Sequence, residues 1–320
     1  MHRLRIVLPG GSGQVGRVLA RHFQAAGHHV TVLTRGPYTA PWQTVHWDGE
    51  SIGDWTEHLE GADVCINLAG RSVNCRYTPE NRRAIYDSRI DTTRLLGRVI
   101  AGLADPPKVW LNASTATIYR HALDRPMDEA TGELGGSEPG APETWNFSIQ
   151  VAKDWEAAFF AAETPRTRKA ALRSAITFSP APGSAFAILL NLVRTGFGGA
   201  QGNGRQYVSW IHETDFARAV EFIIAHEELS GAVNVASPNP VPNREFMAAL
   251  RDAWDIPNGL PAPAFAIEIG AFFLRTESEL VLKSRRVVPA RLLHAGFQFE
   301  FPQWPEAADD LVRQWQSRSE

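Results

Sequence analysis

Short apolar runs alternate with helical patterns over the first 120 residues of the chain. Runs rich in β-branched residues predict strands at 5–8, 30–34, 44–47, 64–68 and 109–113. Apolar residues at helical spacing predict helices at 14–26 and 79–103, and Gly27 is placed to cap the first of them. This alternation is typical of βαβ units. It predicts the α/β class, with a doubly wound parallel sheet of the Rossmann type.

The alternation is interrupted by a polar stretch at 120–143, rich in Asp, Glu, Gly and Pro, which we interpret as a loop that covers the site. A helix at 145–163, a strand at 170–176, and a further helix and strand within 210–235 follow. The remaining segments are proline-punctuated and helix-rich. We therefore predict a large domain of residues 1–177 and 208–237, and a smaller helix-rich C-terminal substrate-side domain of residues 178–207 and 238–320.

A glycine-rich turn directly follows the first predicted strand and precedes the first helix. It reads Gly10-Gly11-Ser12-Gly13-Gln14-Val15-Gly16. Glycine allows the backbone to turn tightly and to approach a pyrophosphate, while the helix start directs its free N–H groups and positive dipole end at the phosphates. Glycine patterns also occur in surface turns, but the order of strand, turn and helix predicts a dinucleotide site here.

The end of the second strand bears on the choice of cofactor. Sites selective for NAD usually carry an acidic residue about 20 positions after the glycines, whereas the first acidic residue of this chain is Asp48. The strand ends instead in Thr34-Arg35, and a guanidinium can hold a 2′-phosphate. We therefore predict NADP(H), with a solvated Arg35 as the alternative. Asp48 is a candidate for the adenine amino group or a plain turn residue.

The fourth strand ends in Asn67-Leu68-Ala69-Gly70, which resembles the signature of the short-chain dehydrogenase/reductase superfamily at this place. More narrowly, the chain resembles the YfcH-like epimerase family, an atypical branch of the extended enzymes. That family joins an NAD-dependent epimerase/dehydratase-like domain to a C-terminal domain of unknown function. The most specific stretches are Gly204-Arg205-Gln206, Trp210-Ile211-His212 with Asp215, and residues 289–297. The resemblance implies that the small residues of the fourth-strand turn lie against the adenosine ribose and pyrophosphate.

The resemblance also implies where catalysis takes place. Extended members usually combine a Ser or Thr after the fifth strand with a Tyr-x-x-x-Lys pair on the next helix, where the tyrosine moves the proton. Ser114 and Thr115 supply the hydroxyls. The pair is absent, since none of the five tyrosines has a lysine four residues later, and the best register places Ser148 and Ala152 at its two positions.

Three further side chains are candidates for proton transfer. Tyr119 follows the hydroxyls, with a packing role as the alternative. Lys153 lies one position past the expected lysine and is otherwise a solvated helix residue beside Asp154. His212, with an unperturbed pKa near 6.5, is otherwise a polar residue at a helix N-terminus.

Substrate contacts are predicted for Arg89, Arg205, Trp210 and His212. Arg89 stands where the superfamily usually has a proton-relay asparagine; an arginine does not relay protons at neutral pH, but it can clamp an anion. The family match places Arg205 and Trp210 in the cleft between the domains, with a core position as the alternative for Trp210.

Composition and charge limit the classes of partner that the protein is expected to bind. The net charge is −3 with scattered charges, and no apolar run reaches the ~18 residues that span a bilayer. Two cysteines, Cys65 and Cys75, give no disulfide framework, and the histidines show no metal-ligand spacing. We expect a cytoplasmic protein with a small-molecule substrate, without nucleic-acid, membrane or metal partners, and with a homodimer as a candidate assembly.

The leading hypothesis is an NADP(H)-dependent oxidoreductase or epimerase-like enzyme that acts on a small molecule in the cleft. The alternative is a sensor or scaffold that binds NADP(H) without turnover, which the missing tyrosine favours. Fold and cofactor do not separate the two, because function resides in the site.

Overall fold

The computed structural model describes residues 3–138, 142–265, 267 and 277–318. Its strands are β1 (Arg5–Pro9), β2 (His29–Thr34), β3 (Gln43–His46), β4 (Val64–Asn67), β5 (Val109–Thr115), β6 (Arg168–Ser174), β7 (Ile176–Phe178), β8 (Tyr207–Val208), β9 (Trp210–His212), β10 (Gly231–Val235) and β11 (Val241–Pro242). Its helices are α1 (Gln14–Ala25), α2 (Pro79–Gly102), α3 (Glu143–Phe160), α4 (Ala185–Arg194), α5 (Glu213–Ala225), α6 (Asn243–Ala253), α7 (Glu279–Leu282), α8 (Ala290–His294) and α9 (Trp304–Ser317).

Seven strands form one parallel sheet in the order β3-β2-β1-β4-β5-β6-β10. Ile6 of β1 pairs with Val30 on one side and Val64 on the other, so β1 lies at the point where the strand order reverses. In such sheets the crevice at the carboxyl ends of the strands beside this point is where ligands bind. The predicted fold class is confirmed.

Apolar side chains bury both faces of the sheet. Ile6 and Val32 pack with Phe23 of α1 and Val220 of α5 on one face. On the other face, Trp110 of β5 packs in one cluster with residues of α2 and α3. These faces explain the near-continuous apolar runs of the strands, because a parallel sheet is covered by helices on both sides.

A second apolar core lies among α4, α6 and α9, in segments assigned to the smaller domain. Phe246 and Trp304 stack there with ring centroids 4.0 Å apart. The fully buried Asp215 of α5 accepts hydrogen bonds of 2.8 Å from the backbone N–H groups of Glu300 and Phe301. This carboxylate therefore joins α5 to the segment that precedes α9.

Two features differ from the expectations. The strand predicted at 170–176 ends at Ser174. The short strand β7 follows it and pairs in parallel with β9, and the sequence did not predict β9 as a strand. Residues 120–138 form hydrogen bonds with β10 and the C-terminal segment, through Glu129 to Asn234 and Met127 to Arg286 and Val288. Those loop residues line neither of the cavities described below, so this part of the loop does not cover the site. Among the described residues, no helix is both long and apolar enough to cross a membrane.

Candidate functional site

The glycine turn packs its backbone directly against the turn that follows β4. Gly10 has a φ of +73°, and a Cβ there would lie 2.7 Å from the backbone of Ala69. Gly13 caps α1 with extended backbone and without a side-chain hydrogen bond. The first N–H groups of α1 therefore lack a side-chain acceptor from the cap, as expected at a phosphate site.

Asn67, the last residue of β4, holds the turn that follows this strand. Its side chain is fully buried, donates to Asn112 Oδ1 at 2.7 Å, and accepts from the backbone N–H of Ala69 at 3.1 Å. Leu68, Ala69 and Gly70 border the cavities, whereas Asn67 does not. The sequence predicted that Asn67 contacts the cofactor. In the structure its side chain instead forms hydrogen bonds that hold the turn.

An outer cavity of about 740 Å³ lies at the carboxyl ends of β1, β2 and β4. Thr34 Oγ1 donates to Ser12 Oγ at 3.2 Å, which brings the glycine turn and the end of β2 together. Arg35 is exposed at its rim. The lining residues are Gly10, Ser12, Gly13, Thr34, Arg35, Trp47, Asp48, Gly49, Glu50, Leu68, Ala69, Gly70, Ala84, Asp87, Ser88, Asp91, Thr92, Arg94 and Arg98.

Acidic groups also reach this cavity, although none precedes Asp48 in the chain. Asp48 accepts hydrogen bonds from the backbone N–H groups of Glu50 and Ser51 and from the Ser51 hydroxyl. The Ser51 hydroxyl and these backbone donors hold the pKa of Asp48 at about 2. The carboxylate is engaged in its own turn, which favours the turn-residue alternative.

An inner cavity of about 280 Å³ meets the outer one at Leu68 and Gly70, which border both. Its wall is mostly apolar and carries hydroxyl groups from β5, β6 and α3. The lining residues are Val15, Leu68, Gly70, Val73, Tyr77, Ile85, Arg89, Ala113, Ser114, Thr115, Thr117, Phe147, Ser148, Val151, Ala152, Trp155, Leu172, Ser174, Phe216, Glu279 and Arg285.

Of the predicted catalytic residues, the hydroxyls of β5 lie in the inner cavity. Ser114 Oγ donates to Glu156 Oε1 at 2.6 Å, and Thr115 Oγ1 accepts from the N–H of Thr117 at 3.1 Å. Tyr119 does not line it. Its hydroxyl, buried in a polar network, donates to Asn234 Oδ1 and accepts from Arg173, both at 2.9 Å, and burial raises its pKa.

The helix that should carry the Tyr-x-x-x-Lys pair presents Ser148 and Ala152 to the inner cavity. Lys153 lies one position further on, and its Nζ donates to the carbonyl of Gly135 at 2.5 Å. It is not among the residues that line either cavity. The register predicted from the sequence, with Ser148 and Ala152 in the places of the tyrosine and lysine, therefore agrees with the residues that line the cavity. Lys153, the alternative to the missing lysine, does not line the cavity.

Arg89 is the predicted substrate residue that lines the inner cavity. Its Nη1 donates to the carbonyls of Arg71 and Ile85 at 3.0 Å, and its guanidinium carbon lies 5.2 Å from the ring centroid of Trp155. Burial lowers the pKa of Arg89 to about 10, which still leaves it charged at neutral pH. The group is therefore a fixed positive charge beside the junction of the two cavities.

The other predicted substrate residues line neither of the two cavities. Arg205 is exposed. Trp210 is fully buried, with its ring 5.1 Å from that of Trp304 and its Nε1 donating to the Asn239 carbonyl at 3.0 Å, which favours the core alternative. His212 caps α5, where its Nδ1 accepts from the N–H of Thr214 at 3.1 Å.

The His212 cap should make stability depend on pH. Burial lowers the pKa of this histidine below 6.5, in spite of the neighbouring Asp310, Glu213 and Asp215. The unfolded chain therefore takes up the proton first as pH falls, so stability is retained above about pH 6.5 and declines below it. We expect His212→Asn, which keeps a cap acceptor, to lose less stability than wild type between about pH 7.5 and 5.5 in urea unfolding. Equal losses in the two proteins would contradict this assignment.

Three titratable residues that line the inner cavity were missed from the sequence: Tyr77, Glu279 and Arg285. Tyr77 lies in the loop before α2, and the other two come from the C-terminal segment. For Glu279 and Arg285, the signal is the cluster of two acids and two bases in Glu277-Ser278-Glu279 and Lys283-Ser284-Arg285, next to an apolar stretch.

Two family models match the chain. One describes the NAD dependent epimerase/dehydratase family and matches residues 6–236; the other describes a domain of unknown function, DUF1731, and matches residues 262–311. They correspond to the two domain types that the sequence resemblance implied.

Similar proteins cover nearly the whole chain. An epimerase family protein of Mycobacterium bovis is 33% identical over 92% of this chain and 93% of its own. The epimerase family protein SDR39U1 of Bos taurus is 30% identical over 97% of this chain and 100% of its own. The crystal structure of human SDR39U1 (isoform 2) with NADPH matches with a TM-score of 0.84 and 27% identity, over 97% of this chain and 99% of that one. The chain therefore belongs to the NAD dependent epimerase/dehydratase family, and its C-terminal part carries the DUF1731 domain.

Proposed function

We propose that this protein is an NADP(H)-dependent oxidoreductase or epimerase-like enzyme whose small-molecule substrate binds in the inner cavity. The observation that carries the proposal is the junction of the two cavities at Leu68 and Gly70, at the switch point of the sheet. The outer cavity has the glycine turn of a dinucleotide site, and the inner one carries Ser114 and Thr115. The NADPH in the human relative supports the choice of cofactor.

The residues present fit such a cofactor. A Cβ on Gly13 would have Gly10 O, at 3.8 Å, as its nearest contact, so the backbone at the start of α1 borders open space. The N–H groups of this turn would hold the pyrophosphate, and Arg35 with Ser12 and Thr34 would hold the 2′-phosphate. When bound, the cofactor supplies or accepts a hydride. Arg89, at the junction, would attract an anionic group of cofactor or substrate.

Replacing Arg35 with Ala should remove most of the preference for NADPH over NADH. A charge-assisted hydrogen bond contributes about 1.5–3 kcal/mol, which corresponds to about 10- to 100-fold weaker NADPH binding, while NADH affinity stays unchanged. Titration calorimetry with both cofactors measures this directly. Arg244→Ala removes an exposed arginine that lines neither cavity and serves as the matched control. A preference unaltered by Arg35→Ala would show that another group binds the phosphate.

Turnover distinguishes the enzyme from its rival, a sensor or scaffold that binds NADP(H) and leaves it unchanged. Ser148 and Ala152 in the places of the tyrosine and lysine are the observation that favours the rival. The purified protein should be incubated with NADPH or NADP⁺ and fractionated metabolite pools, and the cofactor absorbance followed. A change that depends on one fraction supports the enzyme. Tight binding without a change in any fraction supports the sensor.

A further inference from the structure

The C-terminal segment contributes a carboxyl group to the wall of the inner cavity. Glu279 of α7 is 1% exposed and lines this cavity. Its Oε2 accepts a hydrogen bond of 2.6 Å from Ser148 Oγ. Within the described part of the chain, its Oε1 has no hydrogen-bond partner; Arg285 Nη2 and Lys283 Nζ lie 3.6 and 3.9 Å from it. Oε1 thus takes part in two long ion pairs but accepts no hydrogen bond, and a ligand in the cavity could donate one to this carboxyl group.

Ser148, the partner of Glu279, stands at the position of the missing tyrosine. Its Oγ also lies 3.2 Å from the hydroxyl of Tyr77, so a chain of oxygens runs from Tyr77 through Ser148 to Glu279. The three side chains come from the loop before α2, from α3 and from α7, and all of them line the inner cavity. The tyrosine position is thus linked to a carboxyl group from another domain.

We propose, as a refinement of the function proposed above, that Glu279 is the catalytic acid and base of the site and acts on a carbonyl compound or its alcohol. In reduction, the carbonyl carbon gains a hydride, for which NADPH is the source, and the carbonyl oxygen takes the proton from the Glu279 carboxyl group. The C=O double bond becomes CH–OH, NADPH becomes NADP⁺, and a proton from water restores Glu279. Oxidation is the reverse. Ser148 is a positioning residue that orients the carboxyl group.

The other polar groups of the wall are poorly suited to this role. Among the described lining residues, the titratable ones are Tyr77, Arg89, Glu279 and Arg285. Burial raises the pKa of Tyr77 to about 12, and both arginines stay protonated at neutral pH. The proton of Ser114 is engaged with Glu156. Glu279 is therefore the group that can release and regain a proton.

The surroundings of Glu279 adjust its acidity. Burial raises its pKa, as does the neighbouring Glu277, whereas Arg285, Ser148 and Lys283 lower it. Burial also lowers the pKa of Lys283 to about 7, which weakens the opposing charge near neutral pH. An acid whose pKa lies nearer the working pH is a more effective proton donor and acceptor.

The first test needs no substrate. Infrared spectra of the cofactor-free protein, recorded over a pH series, should contain the carbonyl-stretch band of a protonated carboxyl group that Glu279→Gln removes and that persists to higher pH than the bands of exposed glutamates. Glu129→Gln is the matched control, because Glu129 lines neither cavity and accepts from the backbone N–H groups of Asn234 and Arg291, as glutamine also can. A Glu279 band that disappears at the same pH as the bands of exposed glutamates would overturn the proposal.

The second test measures NADPH oxidation with benzaldehyde, cyclohexanone and diacetyl as probes, together with any active metabolite fraction. Glu279→Gln should lower kcat by about 10²- to 10⁴-fold and abolish its dependence on pH, while its NADPH Kd and the rate of Glu129→Gln stay near wild type. Ser148→Ala should cause a smaller loss in kcat, and it keeps the test decisive if Glu279→Gln fails to fold. Unchanged turnover in both site variants would overturn this inference alone. No turnover by wild type with any substrate would overturn the proposed function and this inference with it.

Discussion

Glu156→Leu should lower the free energy of unfolding by about 3–5 kcal/mol, because it leaves a buried arginine without its counterion. Glu156 of α3 accepts two hydrogen bonds from Arg173 of β6, at 2.8 and 2.7 Å, and both side chains are about 10% exposed. The carboxylate also accepts from Ser114 of β5. Urea unfolding of wild type and variant measures the difference.

The double variant Glu156→Leu/Arg173→Met is the control. Replacing both members of a buried ion pair by apolar residues is often neutral or stabilising, so the double variant should recover most of the loss. Each of the two single variants should be less stable than the double variant. Equal stability of Glu156→Leu and wild type would show that water reaches Arg173 and compensates for the lost partner.

The sheet and the outer cavity could be predicted from the sequence because their signals are local. The strand, the glycine turn and the helix follow one another within residues 4–25. The turn after β4 is also contiguous, as Asn67 to Gly70. Parallel strands direct their carboxyl ends to one edge, so local motifs that end strands converge there without further information. The roles of single residues in these motifs were less predictable. Asn67 supports the turn from beneath, which depends on Asn112 of the neighbouring strand.

The inner wall could not be predicted in the same way, because its polar contacts join distant segments. Ser148 and Glu279 are separated by 131 positions. Tyr119 shows the same limit. Its position after β5 indicated catalysis, but its hydroxyl is bound by Arg173 and Asn234, which lie 54 and 115 positions away. The spacing of residues along the sequence does not reveal such pairs, because the fold of the whole chain between the two residues determines whether they meet.

Gly10→Ala should lower the free energy of unfolding by about 2–5 kcal/mol and weaken NADPH binding. Two costs add at this position. A left-handed conformation costs a residue with a Cβ about 1–2 kcal/mol, and Gly10 has a φ of +73°. The new Cβ would also lie 2.7 Å from the backbone of Ala69, and overpacking of this kind costs about 1–3 kcal/mol.

Gly27→Ala separates the two costs. Gly27 has a φ of +85°, yet a Cβ there would meet nothing within 4 Å, so this variant carries the conformational cost alone. It should lose about 1–2 kcal/mol and keep the wild-type NADPH Kd, because Gly27 lies at the opposite end of α1 from the glycine turn. Urea unfolding and cofactor titration on the three proteins give both quantities. If the two variants lost equal stability and both bound NADPH normally, the contact between Gly10 and Ala69 would not hold the site together. A larger loss at Gly10, with weakened binding, indicates that the close approach of the two turns shapes the cofactor cavity.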